Sequence, residues 1–160
     1  MKMEKSYRGI NASAQIKGSK DAPMLSGRVD FIQKRNGVLV VARISGLPRD
    51  SETGFFAFHI HSGSNCSGEG FPKTGGHYNP EDVSHPEHAG DLPPLLSNNG
   101  TAFMAVMTNR FNVEEIIGRT VVIHAGTDDF RSQPSGKSGE KIACGVIKKA
   151  WFRDQRDFCV

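Results

Sequence analysis

All six histidines of this 160-residue chain fall between His59 and His124. Chance scatter seldom concentrates them so. His59 and His61 stand in FFAFHIH, separated only by Ile60. Alternate side chains of an extended strand leave the same face, so these two imidazoles project side by side. That spacing suits chelation of a single metal ion. His77 sits in GGHYNP, between a glycine pair and Asn-Pro. His85 and His88 are three apart in SHPEHAGDLP, and Asp91 follows three further on. His124 ends the apolar run TVVIH. Each has a plain alternative: a loop histidine, a polar turn, a strand end satisfied by a carbonyl. Together they supply six imidazoles and one well-spaced carboxylate, and imidazole suits copper and zinc. No Cys-X-X-Cys pair is present, which excludes a zinc finger or ribbon.

The elements that must carry these residues are short apolar runs divided by turn signals. SGRVDFIQK puts Val29 and Phe31 on one face and Arg28 and Asp30 on the other, a period of two that predicts a strand. Asn36-Gly37 then VLVVARI predicts a hairpin with both central residues at positive φ. INASAQIK, FFAFHIH, TAFMAVMTN, RTVVIHA and KIACGVI complete the strand set. Only FNVEEIIG hints at a helical turn. The expected fold is all-β, an antiparallel Greek-key β-sandwich or barrel of about eight strands. Two stretches break the rhythm. Ser62 to Gly100 is Gly/Pro/Asn-rich and shows no convincing strand. Gly126 to Glu140 has the same character. Loops this long in a compact β domain usually carry function, and the first holds three of the histidines.

Length fits a single domain over 1–160, with residues 148–160 as a C-terminal extension. Net charge is +3, short of the clustered basicity of a nucleic-acid binder. A mild positive balance suits a small anionic substrate. No apolar run reaches the roughly 18 residues of a membrane helix. The N-terminal MKMEKSYRGINASAQ lacks the apolar core of a signal peptide, so a cytoplasmic setting is expected. There the Asn-X-Ser/Thr triplets at Asn11, Asn65 and Asn99 are chance. The three cysteines, Cys66, Cys144 and Cys159, would by the same prior be free thiols or a chemical site. Gly136-Lys137-Ser138 looks like the end of a phosphate-binding loop. The glycine that pattern needs is Arg131, and no helix follows, so it is rejected.

GFFAFHIH, GGHYNP, HAGDLP, IIGRTVVIHAGTDD and GEKIACGVI occur in this order between Gly54 and Ile147. In them the chain resembles the copper/zinc superoxide dismutase family. The resemblance implies copper held by His59, His61, His77 and His124. It implies zinc held by His77, His85, His88 and Asp91, with His77 bridging the two metals and carrying a proton. Asp128 matches a carboxylate that links ligands of both. Cys66 and Cys144 match a disulfide that persists in this family even in the cytoplasm, overriding the free-thiol expectation. Cys159 would stay unpaired. The implied reaction converts superoxide to dioxygen and hydrogen peroxide, and a homodimer is a candidate assembly.

The chain also departs from the family pattern. Lys141 stands where an arginine usually guides the anion. It keeps the charge and loses the planar fork, which predicts slower turnover. The zinc loop is shorter than usual, the stretch from Cys66 to His77 longer, and the loop from Gly126 to Glu140 shorter. These departures keep a second reading open: a copper/zinc-binding protein of the same fold with little dismutase activity.

Overall fold

A computed structural model describes residues 11–150. Eight antiparallel strands form one sheet: β1 (Asn11–Gly18), β2 (Ser26–Lys34), β3 (Gly37–Ser45), β4 (Phe55–His61), β5 (Asp91–Leu96), β6 (Ala102–Thr108), β7 (Thr120–His124) and β8 (Lys141–Ala150). The lateral order is β5-β4-β7-β8-β1-β2-β3-β6. The non-consecutive neighbours β3/β6, β4/β7 and β8/β1 mark the crossovers of a Greek key. The edge strands β5 and β6 approach each other, so the sheet curls into a nearly closed barrel. Among the described residues, helix is confined to a 3-10 turn, Pro72–Thr74, and one α-turn, α1 (Val113–Ile116), within the FNVEEIIG stretch.

Two local expectations need correction. Ser62–Gly100 does contain a strand, β5, with sequence DLPPLL. Its prolines mask the usual strand signal, yet they fit an edge position where some backbone N–H groups need no ladder partner. Leu92 and Leu95 still reach the core. The β2–β3 hairpin forms, but its two-residue turn is Arg35-Asn36, because Lys34 pairs with Gly37. Only Gly37 of the expected pair has a positive φ, at 142°. A Cβ there would lie 2.4 Å from the Thr108 carbonyl oxygen, so close strand approach fixes the glycine as much as φ does.

β4 shows how the barrel carries the chemistry. Every residue from Phe56 to His61 is buried. Phe56, Phe58 and Ile60 point into the barrel core with Val121 and Ile123 of β7. Ala57, His59 and His61 therefore leave the outer face. That face is buried because the two long loops fold over it. Val122, Cys144 and Phe71 form a small second core there with Cys66 packed against it. Among the described residues, no helix is long and apolar enough to cross a membrane.

The disulfide joins Cys66 in the first loop to Cys144 in β8, with Cα atoms 5.7 Å apart and a sequence separation of 78. Lys148 to Ala150, the first residues of the extension, continue β8 against β1. Trp151, Phe152, Phe158 and Cys159 lie outside the described residues. Closing a loop of this length removes much denatured-state entropy, about 4–5 kcal/mol in the chain-entropy model. Reduction, or Cys144→Ser, is expected to lower unfolding free energy by about 2–5 kcal/mol in denaturant melts. An unchanged midpoint would show that the bond does not constrain the unfolded chain.

Candidate metal centre

β4 supplies His59 and His61, and β7 supplies His124 at its C-terminal end. β4 and β7 are paired, with His61 opposite Thr120 and Phe58 opposite Ile123. The first loop returns His77 beside His61 in an isolated β-bridge. Asp91 opens β5 opposite His59. Two sets of side chains result. In each, one ligand atom per residue lies within 4.8 Å of all the others. One set is His59, His61, His77 and His124; the other is His77, His85, His88 and Asp91. All six imidazoles are buried, and His77 belongs to both sets.

The partners of each ring fix which nitrogen carries its proton. His59 Nε2–H donates to Asp128 Oδ2 at 2.8 Å. His61 Nδ1–H donates to the Gly75 carbonyl at 2.8 Å, and His124 Nδ1–H to the Gly139 carbonyl at 3.2 Å. A neutral imidazole has one proton, so His61 and His124 each keep a lone pair on Nε2. Those two nitrogens face each other at 3.2 Å. Two lone pairs at that distance repel unless a cation lies between them.

His59 Nδ1 is left buried with no hydrogen-bond partner, and so is His77 Nε2. An unsatisfied buried nitrogen costs on the order of 1–3 kcal/mol. Together with the facing nitrogens of His61 and His124, these two make four ring nitrogens that converge, a donor set that suits copper.

The second set repeats the logic with a carboxylate. His85 Nε2–H donates to Asp128 Oδ1 at 2.8 Å, which leaves its Nδ1 lone pair 3.0 Å from Asp91 Oδ2. His77 Nδ1 lies 2.7 Å from Asp91 Oδ1, and His88 Nδ1 lies 3.2 Å from Asp91 Oδ2. Three nitrogens around one carboxylate match the tetrahedral preference of zinc. The short His85-to-His88 spacing is accommodated by local clamps. Asn79 bonds the Val83 backbone in both directions, at 2.8 and 3.1 Å. Arg110 Nη1 donates to the carbonyls of Pro86, at 2.8 Å, and His88, at 3.1 Å.

Asp128 spans the two sets, one oxygen on His59 and the other on His85. Burial alone would raise its pKa. The bonds from His59, the Phe130 N–H and His85 outweigh that and hold it well below the usual carboxylate range. Gly136 packs directly on this carboxylate. A Cβ there would lie 2.0 Å from Asp128 Oδ1, and the residue's φ is +69°. The Gly-Lys-Ser stretch therefore has a structural reason unrelated to phosphate.

Lys141 opens β8, and its Nζ donates to Thr74 Oγ1 at 2.8 Å and to the Gly75 carbonyl at 3.3 Å. Gly75 is also the acceptor for His61, so the cation sits at the mouth of the first set. Burial lowers its pKa from the usual lysine value. Sequence reasoning missed Gln133, Arg110, Thr74 and the Gly75 and Gly139 carbonyls. None carries a motif, and the last two act through backbone that every residue has.

Burial pushes His61 down to a pKa of about 2 and His124 to about 3, and it lowers His59 and His88 as well. Neutral imidazole is the metal-binding form, so these rings stay ready to bind in mild acid. In the unfolded chain each returns to about 6.5. Below that pH the unfolded state takes up protons that the folded state refuses, and stability falls with pH. For metal-stripped protein, the folding constant should drop nearly tenfold per pH unit for each of His61 and His124 between about pH 6 and pH 4. Denaturant melts at pH 7, 6 and 5 check this; a flat profile would contradict the burial argument.

Residues 25–147 match the family model for copper/zinc superoxide dismutase. Copper/zinc superoxide dismutase 2 of Aquifex aeolicus is 34% identical over 137 residues, covering 76% of this chain and 78% of the relative. The enzyme of Legionella pneumophila is 33% identical over 144 residues, covering 85% and 86%. The extracellular enzyme of Rattus norvegicus is 33% identical over 146 residues, covering 82% and 59%, so membership does not fix a cellular compartment. With two histidine-rich sets on a Greek-key barrel and these matches over most of its length, the chain belongs to the copper/zinc superoxide dismutase family.

Proposed function

We propose that the chain dismutates superoxide at a copper ion held by His59, His61, His77 and His124. Zinc is held beside it by His77, His85, His88 and Asp91. The observation that carries this reading is the pair of buried, partnerless nitrogens, His59 Nδ1 and His77 Nε2, aimed into the first set. Bound copper supplies one-electron exchange, so that two superoxides and two protons give one dioxygen and one hydrogen peroxide. Zinc has no redox chemistry and serves to hold its ligands.

The protein's own groups do the rest. Carbonyl bonds from Gly75 and Gly139 orient His61 and His124. Asp128 keeps the His59 Nε2 proton in place and so leaves Nδ1 for the metal. His77 turns Nδ1 toward Asp91 and Nε2 toward the first set, which makes Nε2 the atom that can take up and release a proton. Lys141 attracts the anion. Two of its three ammonium hydrogens serve Thr74 and Gly75, which leaves one for superoxide. An arginine in that place would offer a planar fork. This supports the second reading in one respect only: guidance of the substrate is weaker than in the usual pattern. Assembly as a homodimer and a cytoplasmic setting belong to the same proposal; sedimentation and cell fractionation test them.

Loading the protein with both metals, then measuring metal content and dismutation on one sample, tests the function. One copper and one zinc per chain with rapid, salt-sensitive turnover is expected. Both metals bound with negligible turnover would favour the copper-handling reading instead. His61→Ala should lose copper and activity while still folding; activity retained in that variant would remove the copper assignment. Asp91→Ala should lower zinc content and melting temperature, and zinc content equal to the parent's would place zinc elsewhere. Lys141→Arg should raise the rate a few-fold at low ionic strength, with the gain shrinking as salt screens the charge. An unchanged rate would show that Lys141 is no handicap.

A further inference from the structure

Both backbone polar groups of His85 go to one side chain. The His85 N–H donates to Gln133 Oε1 at 2.9 Å, and Gln133 Nε2 donates to the His85 carbonyl at 2.7 Å. Gln133 lies 48 residues away, in the same loop that supplies Asp128. That loop therefore holds His85 three times, twice through the backbone and once through Nε2. The chain beyond His85 has little slack. Pro86 follows it, and Arg110 takes the carbonyls of Pro86 and His88. His88 in turn donates its backbone N–H to Asp91 Oδ2 at 3.1 Å.

We infer that Gln133 is a positioning residue for the zinc set, its amide fixing the His85 backbone so that the imidazole meets Asp91 through Nδ1 and Asp128 through Nε2. The inference rests on the zinc assignment proposed above. The geometry explains how a histidine only three residues from the next ligand faces both the metal set and the bridging carboxylate. A side-chain amide pairs with a backbone amide as a second strand would, with two bonds that fix direction as well as distance. In a loop without regular pairing, this replaces the ladder that holds His59 and His61.

A loop staple with no bearing on the metal would lower stability alone. The test therefore reads the zinc set directly, by chelator competition for zinc and by the visible absorption of cobalt(II) placed in that set. Gln133→Met keeps the length of the side chain and removes both bonds to His85, together with a longer one from Nε2 to the Arg131 carbonyl at 3.3 Å. It should weaken zinc binding about 10–100-fold and alter the cobalt spectrum. Gln133→Glu keeps the acceptor for the His85 N–H but sets a carboxylate against the His85 carbonyl, and should also weaken zinc. Ser132→Ala removes the 2.6 Å bond to Asp129 in the same loop, away from His85, and should leave affinity within twofold. Zinc affinity within twofold of the parent in Gln133→Met would overturn the inference. So would an equal loss in Ser132→Ala. A parent chain that binds no zinc would instead overturn the zinc assignment itself, so the two failures are distinct.

Discussion

The Asp128 carboxylate holds His59 with one oxygen and His85 with the other, both at 2.8 Å. It reaches them from a loop that belongs to neither ligand set. Each bond fixes the ring proton on Nε2 and turns Nδ1 inward, toward opposite candidate metal sets. Without that carboxylate the two imidazoles could adopt the other tautomer or rotate, and neither set would be complete. The surrounding structure serves this contact. Gly136 leaves room for the carboxylate, the Phe130 N–H helps keep it ionised, and Gln133 holds the backbone of His85.

The barrel and the loops divide the work by rigidity. His59, His61 and His124 rise from paired strands whose inner faces are filled by Phe56, Phe58, Ile60, Val121 and Ile123. Their positions follow from strand register. His77, His85 and His88 come from a long loop and depend on individual bonds, with the bridge to His61, the edge strand and the disulfide among the larger constraints. The loops also exclude water. That burial makes four of the imidazoles poor bases, which is unfavourable for a protonated ring and favourable for a metal ligand.

Much of this arrangement was legible in the sequence, for physical reasons that differ by element. The period of two in SGRVDFIQK and FFAFHIH fixed both the strands and the face on which His59 and His61 emerge. β5 was not legible because Pro93 and Pro94 suppress the strand signal, and only an edge position makes them tolerable. The hairpin turn shifted by one residue because the approach of Thr108 constrains Gly37, a contact between β3 and β6 that no local pattern records. Ligand residue types could be read from spacing and family resemblance. Their tautomers could not, because the carbonyls of Gly75 and Gly139 set them through the fold. Gln133 was invisible for the same reason: its partner is the backbone of a residue in another loop.

The proposed arrangement has His77 join two metal sites through one ring. It is tested most directly by placing copper(II) in the first set and cobalt(II) in the second, then recording the electron paramagnetic resonance of the copper. A shared imidazole couples the two spins, so the copper signal should be largely suppressed when cobalt is present and restored when cobalt is replaced by zinc. A copper signal of full intensity with both ions bound would contradict the shared ligand, and with it the assignment of His77 to both sets.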